Sequence, residues 1–247
     1  MTSRRADEID CGGRLKGRPK RLRPKDAATL VLVDRSGAEP RILMGRRRAS
    51  EVFLPNKFVF PGGRLDRADW TAPAADALPE RETERLLFDM KGRPSSERAR
   101  ALALTAVREM FEEAGLLLGC THPTGGGSAL SRHPSWIRFL RTGHLPALSG
   151  LTFFARAITP PARPRRYDTR FFMADAASIA AASERPDEEL NTIGWFTIGE
   201  VRALELPNIT RAVVEDLVCV LNDANGAPGP VPYYSFRNGA FRRDLIP

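Results

Sequence analysis

The apolar and polar positions of this chain form two kinds of segment, short apolar runs and longer amphipathic stretches. Residues 27–33 are apolar at nearly every position, which is typical of a strand buried on both faces. The same patterns predict further strands at 41–44, 58–60, 151–158, 170–174 and 189–196. They predict helices at 78–90, 95–114, 136–140, 198–206 and 209–222. Because strands and helices are interleaved, the fold class is α/β (α+β), a sandwich with a mixed sheet.

The longest predicted helix has clear start and stop signals. Ser95 is suited to accept a hydrogen bond from the first helical turn, as an N-cap does. Gly115 is suited to the left-handed conformation that commonly ends a helix. The sequence therefore predicts a helix of about five turns between them.

Composition divides the chain into a basic tail, 1–25, and one domain, 26–247, with an insertion at about 70–95. The hydrophobic share of 42% and the charged share of 28% are those of a globular protein. Of the 38 Lys and Arg residues, nine lie within the first 25 residues. We expect this tail to be a solvated, disordered extension with no nucleic-acid partner. The segment 70–95, rich in Ala, Pro and charge, is expected to leave the core, form a short helix and return near Ser95.

The remaining composition bears on cellular location. No apolar run reaches the roughly 20 residues needed to span a bilayer, so no membrane association is expected. The three cysteines, Cys11, Cys120 and Cys219, show no metal-binding spacing, which favours a reducing cytoplasm. The three histidines, His122, His133 and His144, are interpreted as loop residues, and the three tryptophans as core residues.

Candidate chemistry is concentrated near the end of the long helix. Glu109, Glu112 and Glu113 have the spacing that places side chains on one helix face, about 5–6 Å apart. Carboxylates this close repel each other, and a hard divalent cation such as Mg²⁺ or Mn²⁺ would remove that repulsion. An ordinary solvated helix face is the alternative interpretation of these three residues.

The wider sequence around this helix resembles the Nudix hydrolase family. The family pattern G-x5-E-x7-R-E-U-x-E-E-x-G-U, with U a bulky aliphatic residue, matches from Arg108 to Leu116. An upstream Phe-Pro-Gly-Gly-Arg-Leu-Asp segment, 60–66, matches its first half, and the acid after it is Asp69 where the family has Glu. Between Asp69 and Arg108 stand 38 residues, where the pattern has seven, so the motif is split and the role of Asp69 is left open.

The split motif and the segment 166–172, Arg-Tyr-Asp-Thr-Arg-Phe-Phe, resemble the branch that contains the peroxisomal acyl-CoA diphosphatase and its bacterial relatives. The resemblance implies a Nudix-type α/β/α sandwich with a helical insertion inside the motif. It also implies a metal-dependent hydrolase that cleaves a diphosphate linkage in a nucleotide-containing small molecule. The best candidate is CoA or an acyl-CoA, which would give 3′,5′-ADP and (acyl-)phosphopantetheine.

The resemblance also assigns roles to residues. It implies that Glu109, Glu112 and Glu113 bind Mg²⁺ or Mn²⁺, that Arg108 orients a catalytic glutamate, and that Gly62 and Gly63 form a tight turn beside the substrate. Glu189 lies at a late acidic position of the family, so Glu112 and Glu189 both remain candidates for the general base.

Arginines upstream and downstream of the motif are candidates for phosphate binding, because guanidinium groups suit bidentate phosphate contacts. An arginine triplet, Arg46 to Arg48, follows a predicted strand, and we assign Arg46 and Arg48 of this triplet to the substrate, together with Arg170 of the branch-like segment. For the triplet, including Arg47, a solvated charge run is the alternative, and for Arg170 the alternative is packing at the start of a strand.

Two other functions remain open at this stage. One is hydrolysis of ADP-ribose, NADH or dinucleoside polyphosphates, and the other is a non-catalytic binding module with the same fold. Three retained carboxylates argue against the binding module, which has no need of them. The sequence leaves open whether the chain forms a homodimer.

Overall fold

The computed structural model describes residues 22–51, 54–122, 131–161, 163–185, 189–223, 229–237 and 239–247. The first 21 residues of the predicted basic tail therefore lie outside the described residues. The strands are β1 Lys25–Asp34, β2 Arg41–Arg47, β3 Phe58–Val59, β4 Gly62–Arg64, β5 Leu116–Thr121, β6 His144–Pro146, β7 Thr152–Ile158, β8 Tyr167–Asp175, β9 Ile179–Ala182, β10 Leu190–Thr197, β11 Val231–Arg237 and β12 Ala240–Ile246. The helices are α1 Glu80–Leu87, α2 Ser96–Ala114, α3 Pro134–Arg141, α4 Ile198–Ala203 and α5 Asn208–Asn222, with short 3₁₀ helices at Arg67–Trp70 and Ala176–Ser178.

The main sheet is mixed, as the sequence predicts. Its strand order is β10-β2-β1-β8-β7-β11-β12, with β3 paired to β2 and β4 paired to β1. The β1–β8 pair is parallel, whereas the β1–β2 and β7–β8 pairs are antiparallel. A smaller sheet has the order β6-β5-β9.

The central strand β1 contributes to the apolar cores on both faces of the main sheet. Leu30 and Leu32 belong to one core, whose helical residues include Leu102 and Val107 of α2. Val31 and Val33 belong to the other core, together with apolar residues of α5 such as Val213. Since successive side chains of a strand point to opposite faces, this alternation gives a three-layer α/β/α sandwich. It also explains why β1 is apolar at nearly every position.

The ends of α2 are those that the sequence predicts. The Ser95 hydroxyl accepts a hydrogen bond from the N–H of Arg98 at 3.2 Å. Gly115 has φ = 71°, in the left-handed region, and its N–H donates to the carbonyl of Phe111 at 3.0 Å. Most of α2 between these caps is buried, which fixes the helix against the sheet.

The segment 70–95 contains the predicted short helix, α1, but it packs more tightly than the sequence suggests. Leu78, Leu86 and Met90 belong to the apolar core that α2 covers. Glu82 accepts a hydrogen bond from the N–H of Phe153 in β7 at 2.9 Å, and burial raises the pKa of this carboxyl group. The expectation that this segment lies outside the core is wrong, whereas its origin as an insertion stays a prediction.

No helix in the described ranges has the length and the apolar character needed to cross a membrane.

Candidate active site

The candidate site forms where β4 replaces β2 beside the central strand. The β1–β2 pairing is confined to the turn end, Val33 with Ile42 and Asp34 with Arg41. Closer to the start of β1, Ala28 pairs with Gly63 and Thr29 with Gly62. Because β4 takes the place of β2 here, the two glycines lie beneath the C-terminal half of α2.

The two glycines contact two of the helix carboxylates directly. The N–H of Gly62 donates to Glu113 Oε2 at 2.9 Å. A Cβ on Gly63 would lie only 2.4–2.7 Å from the carboxylate atoms of Glu109. The absence of side chains in this turn is therefore what allows both carboxylates to approach its backbone.

Burial and mutual repulsion make this carboxylate cluster costly to ionise. Burial raises the pKa of Glu109 to about 8, although neighbouring Arg108 opposes the shift. Burial also raises the pKa of Glu113, and the negative charges of Glu109 and Glu189 raise it further. A carboxyl group with a raised pKa is one whose charge the surrounding protein fails to compensate fully.

Arg108 ties the helix carboxylates to Asp69, whose role the sequence leaves open. Its guanidinium binds both oxygens of Asp69, with Nε at 2.8 Å and Nη2 at 3.1 Å. Its Nη1 lies 3.0 Å from each oxygen of Glu112 and 2.9 Å from Glu109 Oε1. Burial works against the charged form of Arg108, but the three acids outweigh it and raise its pKa. Asp69 therefore fixes the arginine that holds two carboxylates of the cluster.

Asp69 is itself held by residues that sequence reasoning did not connect to the site. It is fully buried, and its carboxylate accepts hydrogen bonds from Thr105 Oγ1 and Trp136 Nε1, both at 2.8 Å. Trp136 comes from α3, so three separate parts of the chain meet at one carboxylate. A Thr one helical turn before Arg108 is a weak signal for this contact, and the sequence position of Trp136 gives none.

Glu189 joins the cluster from the position just before β10, and its partner is the middle residue of the arginine triplet. Arg47 Nη2 forms an ion pair with Glu189 Oε1, and it lies 3.3 Å from Glu51 Oε2. Arg47 is buried, and its positive charge lowers the pKa of Glu113 against the larger effect of burial. The sequence makes all three arginines of the triplet candidates and assigns Arg46 and Arg48 to the substrate. The alternation of β2 turns Arg47 toward the carboxylates.

Arg46 and Arg48 lie around the rim of this cluster. The exposed Arg46 donates from Nε to the carbonyl of Asn56 at 3.3 Å. Arg48 is half-buried, and its N–H donates to the carbonyl of Glu189 at 3.2 Å. The side chain of Arg46 and the backbone of Arg48 therefore lie near the site.

Arg170 does not join the carboxylates. Its side chain is fully buried and pairs with Asp26 Oδ1 at 2.9 Å and with Asp168 Oδ2 at 3.2 Å. Asp26 in turn binds Arg98, which lies eleven residues before Glu109 on α2, or about 16 Å along the helix axis. This burial favours the packing interpretation of Arg170, and its assignment as a substrate-binding residue stays a prediction.

His133 is closer to the site than its interpretation as a loop residue implies. It precedes α3, and its Nδ1 lies 3.9 Å from Glu112 Oε1. Trp136 is fully buried, as the sequence predicts, whereas Trp70 is 40% exposed.

Within the described residues, no group of three or more His, Cys, Asp or Glu side chains is already arranged as a metal site. The cause is visible in the contacts: Arg108 holds Glu112, and the Gly62 N–H holds one oxygen of Glu113. The carboxylates thus lie close together while engaged with protein donors.

Substitutions of the two glycines are expected to have different consequences. In Gly63→Ala the three atoms nearest to the new methyl group all belong to the end of the Glu109 side chain, so the fold should persist while the Glu109 carboxylate is displaced. Misplacement of a catalytic group by about 1 Å can cost about 10²-fold in rate, and we expect a loss of that order for Gly63→Ala. Rates and thermal unfolding of the same preparation measure both effects.

Gly62→Ala is the contrasting variant. Its Cβ would lie 2.7 Å from the Ala28 carbonyl oxygen and from the Thr29 Cα, which are backbone atoms that cannot move aside. Overpacking of this kind typically costs about 1–3 kcal/mol, so we expect a lowered Tm in Gly62→Ala. Unchanged turnover in Gly63→Ala would show that the Glu109 carboxylate is not needed at its observed position.

Comparisons with known proteins show which proteins this chain is similar to. No protein-family model matches the chain. The solved structure of a NUDIX hydrolase from Alicyclobacillus acidocaldarius matches with a TM-score of 0.58 and 27% identity, covering 84% of this chain and 99% of that one. The chain is similar to Nudix hydrolases both in fold and in sequence.

Two curated Nudix relatives are also similar in sequence. Acyl-coenzyme A diphosphatase NUDT19 of Gallus gallus is 26% identical over 200 residues, which is 62% of this chain and 53% of that protein. Putative nudix hydrolase 7 of Caenorhabditis elegans is 27% identical over 160 residues, 60% of this chain and 43% of that protein. The chain thus spans about half the length of the curated relatives that it matches.

Proposed function

We propose that this chain is a metal-dependent hydrolase of the Nudix type, which cleaves a diphosphate linkage in a nucleotide-containing substrate. The observation that carries the proposal is the cluster of Glu109, Glu112, Glu113 and Glu189 around the Gly62–Gly63 turn. Such a density of partly uncompensated negative charge has no structural benefit by itself. It suits a site whose charge is balanced by a cation that the substrate or the solvent brings.

The residues present fit a divalent cation of the Mg²⁺ or Mn²⁺ kind. All the donors are carboxylate oxygens, which hard cations prefer. Burial and neighbouring carboxylates raise the pKa of Glu109 and Glu113, so a cation beside them would stabilise their charged forms. The turn without side chains lets the Glu109 carboxylate lie against the backbone of Gly63. We assign Glu109, Glu112 and Glu113 as the residues that would hold the cation. When bound, it would neutralise charge on the diphosphate and lower the pKa of water.

The side chains around the cluster have separate tasks. Arg108 fixes Glu109 and Glu112 through a single guanidinium, and Asp69 fixes that guanidinium. Hydrolysis requires a water oxygen to bond to one phosphorus while the bond from that phosphorus to the bridging oxygen breaks. We assign proton removal from this water to Glu189, whose side chain is one-third exposed, because both oxygens of Glu112 are engaged with Arg108. A Glu189→Gln variant with kcat within a few-fold of wild type would transfer this role to Glu112.

CoA or an acyl-CoA is the proposed substrate class. The support is the resemblance of the split motif and the similarity to a relative whose name is acyl-coenzyme A diphosphatase. The ADP half of CoA carries a 3′-phosphate, whose charge would suit Arg46 and Arg48 at the rim. The products would be 3′,5′-ADP and (acyl-)phosphopantetheine.

A substrate panel tests this proposal. We expect CoA to have a higher kcat/KM than dephospho-CoA, ADP-ribose, NADH or diadenosine polyphosphates. The difference between CoA and dephospho-CoA should shrink at high salt, because exposed charge contacts are screened. A higher kcat/KM for dephospho-CoA or ADP-ribose would replace the CoA proposal by the wider nucleoside-diphosphate alternative.

Arginine variants test which side chain contacts the 3′-phosphate of CoA. Arg46→Ala or Arg48→Ala should narrow the preference for CoA over dephospho-CoA. Arg35→Ala is the matched control, since Arg35 is exposed, is ion-paired with Asp175 and follows the far end of β1. If all three variants keep the wild-type preference, neither rim arginine binds the 3′-phosphate.

A further inference from the structure

The C-terminal strand β12 forms an edge of the main sheet with an unusual surface. It pairs with β11 on one side, and no other described strand pairs with it on the other side. Its residues 240–245 are all exposed. An open edge of this kind offers a row of backbone donors and acceptors to another strand.

Two large apolar side chains stand on this edge strand. Phe241 is 55% exposed and Leu245 is 52% exposed, the highest values among the large hydrophobic residues described. Both are two residues away from Arg243 along the strand, so their side chains point to the same face of the sheet as that of Arg243. Arg243 pairs with Asp216 of α5, so this is the face that packs against α5. Exposed apolar residues on one face of an open edge are a hazard unless another chain covers them.

The sequence of β12 complements itself when it is read in the opposite direction. A two-fold axis normal to the sheet keeps each face on its own side, so directly opposed residues of two copies must share strand parity. With the axis at Arg243, Arg242 opposes Asp244 of the second copy, and Phe241 opposes its Leu245. Symmetry repeats both pairs, so this register gives two ion pairs and two apolar pairs.

The neighbouring registers lack this match. With the axis at Arg242, that residue opposes its own copy and Phe241 opposes Arg243. With the axis at Asp244, two aspartates are opposed and Arg243 faces Leu245. In the favoured register the axial residue is Arg243, whose charge is already paired within its own chain to Asp216 Oδ1 at 2.8 Å. The two copies of Arg243 are therefore compatible on the axis.

We propose that β12 is a dimerisation edge, at which a second copy of this chain pairs antiparallel about an axis at Arg243. The pairing continues the main sheet across two protomers and covers Phe241 and Leu245. It is independent of the hydrolase function, because β12 and β10, the strand that follows Glu189, lie at opposite edges of the main sheet.

Charge reversal tests the register. Wild-type protein should show a concentration-dependent dimer in sedimentation velocity. Asp244→Arg or Arg242→Asp places like charges opposite each other twice, so either variant should raise the dimer dissociation constant by at least about 10-fold. The double variant carrying both changes restores opposite charges and should return to within a few-fold of wild type. Circular dichroism and Tm establish that each variant is folded.

Cysteine cross-linking gives a readout that needs no charge effect. In a background with Cys11, Cys120 and Cys219 replaced by Ser, Arg243→Cys places two thiols directly opposite, about 5 Å apart at Cβ. Diamide should oxidise this pair to a disulfide-linked dimer. Phe241→Cys is the control, because its two copies would be about 14 Å apart along the strand, beyond disulfide reach.

The proposal is overturned if wild-type protein remains monomeric at its highest soluble concentration. It is also overturned if the dimer is insensitive to both single reversals, or if residue 241 cross-links as readily as residue 243. Each of these outcomes can occur with full hydrolase activity, so the dimer and the hydrolase proposals fail separately.

Discussion

Glu113→Gln is expected to lower kcat by at least about 10²-fold while the chain stays folded, as when a charge-stabilising group is removed. Glutamine keeps the size of the side chain and can still accept the hydrogen bond from the Gly62 N–H. It loses the negative charge that a cation would need. Steady-state rates of diphosphate cleavage measure the effect.

The same substitution makes an unusual prediction for stability. Because burial, Glu109 and Glu189 raise the pKa of Glu113, its ionised form destabilises the metal-free fold. The protonated form of Glu113 is the one that the fold favours. Its contribution to the free energy of unfolding is present at low pH and is lost as the pH rises through the raised pKa of the folded state. At neutral pH, metal-free Glu113→Gln should therefore be at least as stable as wild type in thermal unfolding.

Glu97→Gln is the matched control, because Glu97 lies on the same helix and is exposed. It should keep wild-type kcat and a nearly unchanged Tm. Equal activity of Glu113→Gln and Glu97→Gln would show that the chemistry takes place elsewhere.

Asp168→Asn should cause a large loss of stability. Asp168 accepts hydrogen bonds from Arg156 Nε at 2.8 Å and Nη2 at 2.7 Å, and it also faces Arg170. Both arginines are buried, so removing the aspartate charge leaves guanidinium groups without compensation. Breaking a buried ion pair from one side costs about 3–5 kcal/mol, and we expect a loss of that order in urea unfolding.

A control on the same strand calibrates this prediction. Asp175 ends β8 and pairs with Arg35 in solvent, so Asp175→Asn should change the unfolding free energy by about 1 kcal/mol or less. For the folded fraction of Asp168→Asn we expect KM for CoA to be unchanged. A large rise in KM without loss of stability would return Arg170 to the substrate site.

Local patterns predict the framework of the site well. The caps Ser95 and Gly115, the spacing of the three helix glutamates and the apolar run of β1 are all properties of contiguous residues. Such properties depend on helix and strand geometry alone, so the sequence is sufficient to predict α2 and the central strand.

Contacts between distant segments explain most of what the sequence did not predict. Asp69 and Arg108 meet only because the chain returns after α1, and Trp136 reaches Asp69 from another helix. The choice of Arg47 within its triplet depends on where β2 ends, which the pattern fixes only to within a few residues. Arg170 carries a charge that suits phosphate, and only its buried partners favour a structural role for it.

Composition misdirected the interpretation of two other segments. The many charges of 70–95 suggested a segment that lies on the surface. Leu78, Leu86 and Met90 nevertheless bury one side of this segment in the apolar core. For the C-terminal hairpin of β11 and β12, no strand was predicted, because the exposed charges of β12 conceal its alternation.

The most direct measurement of the proposed function is the initial rate of CoA cleavage by EDTA-treated enzyme as Mg²⁺ or Mn²⁺ is added. The expected result is no turnover in EDTA, and restoration by either cation with 3′,5′-ADP among the products. Full turnover by the metal-free enzyme would contradict the assignment of Glu109, Glu112 and Glu113 as cation ligands.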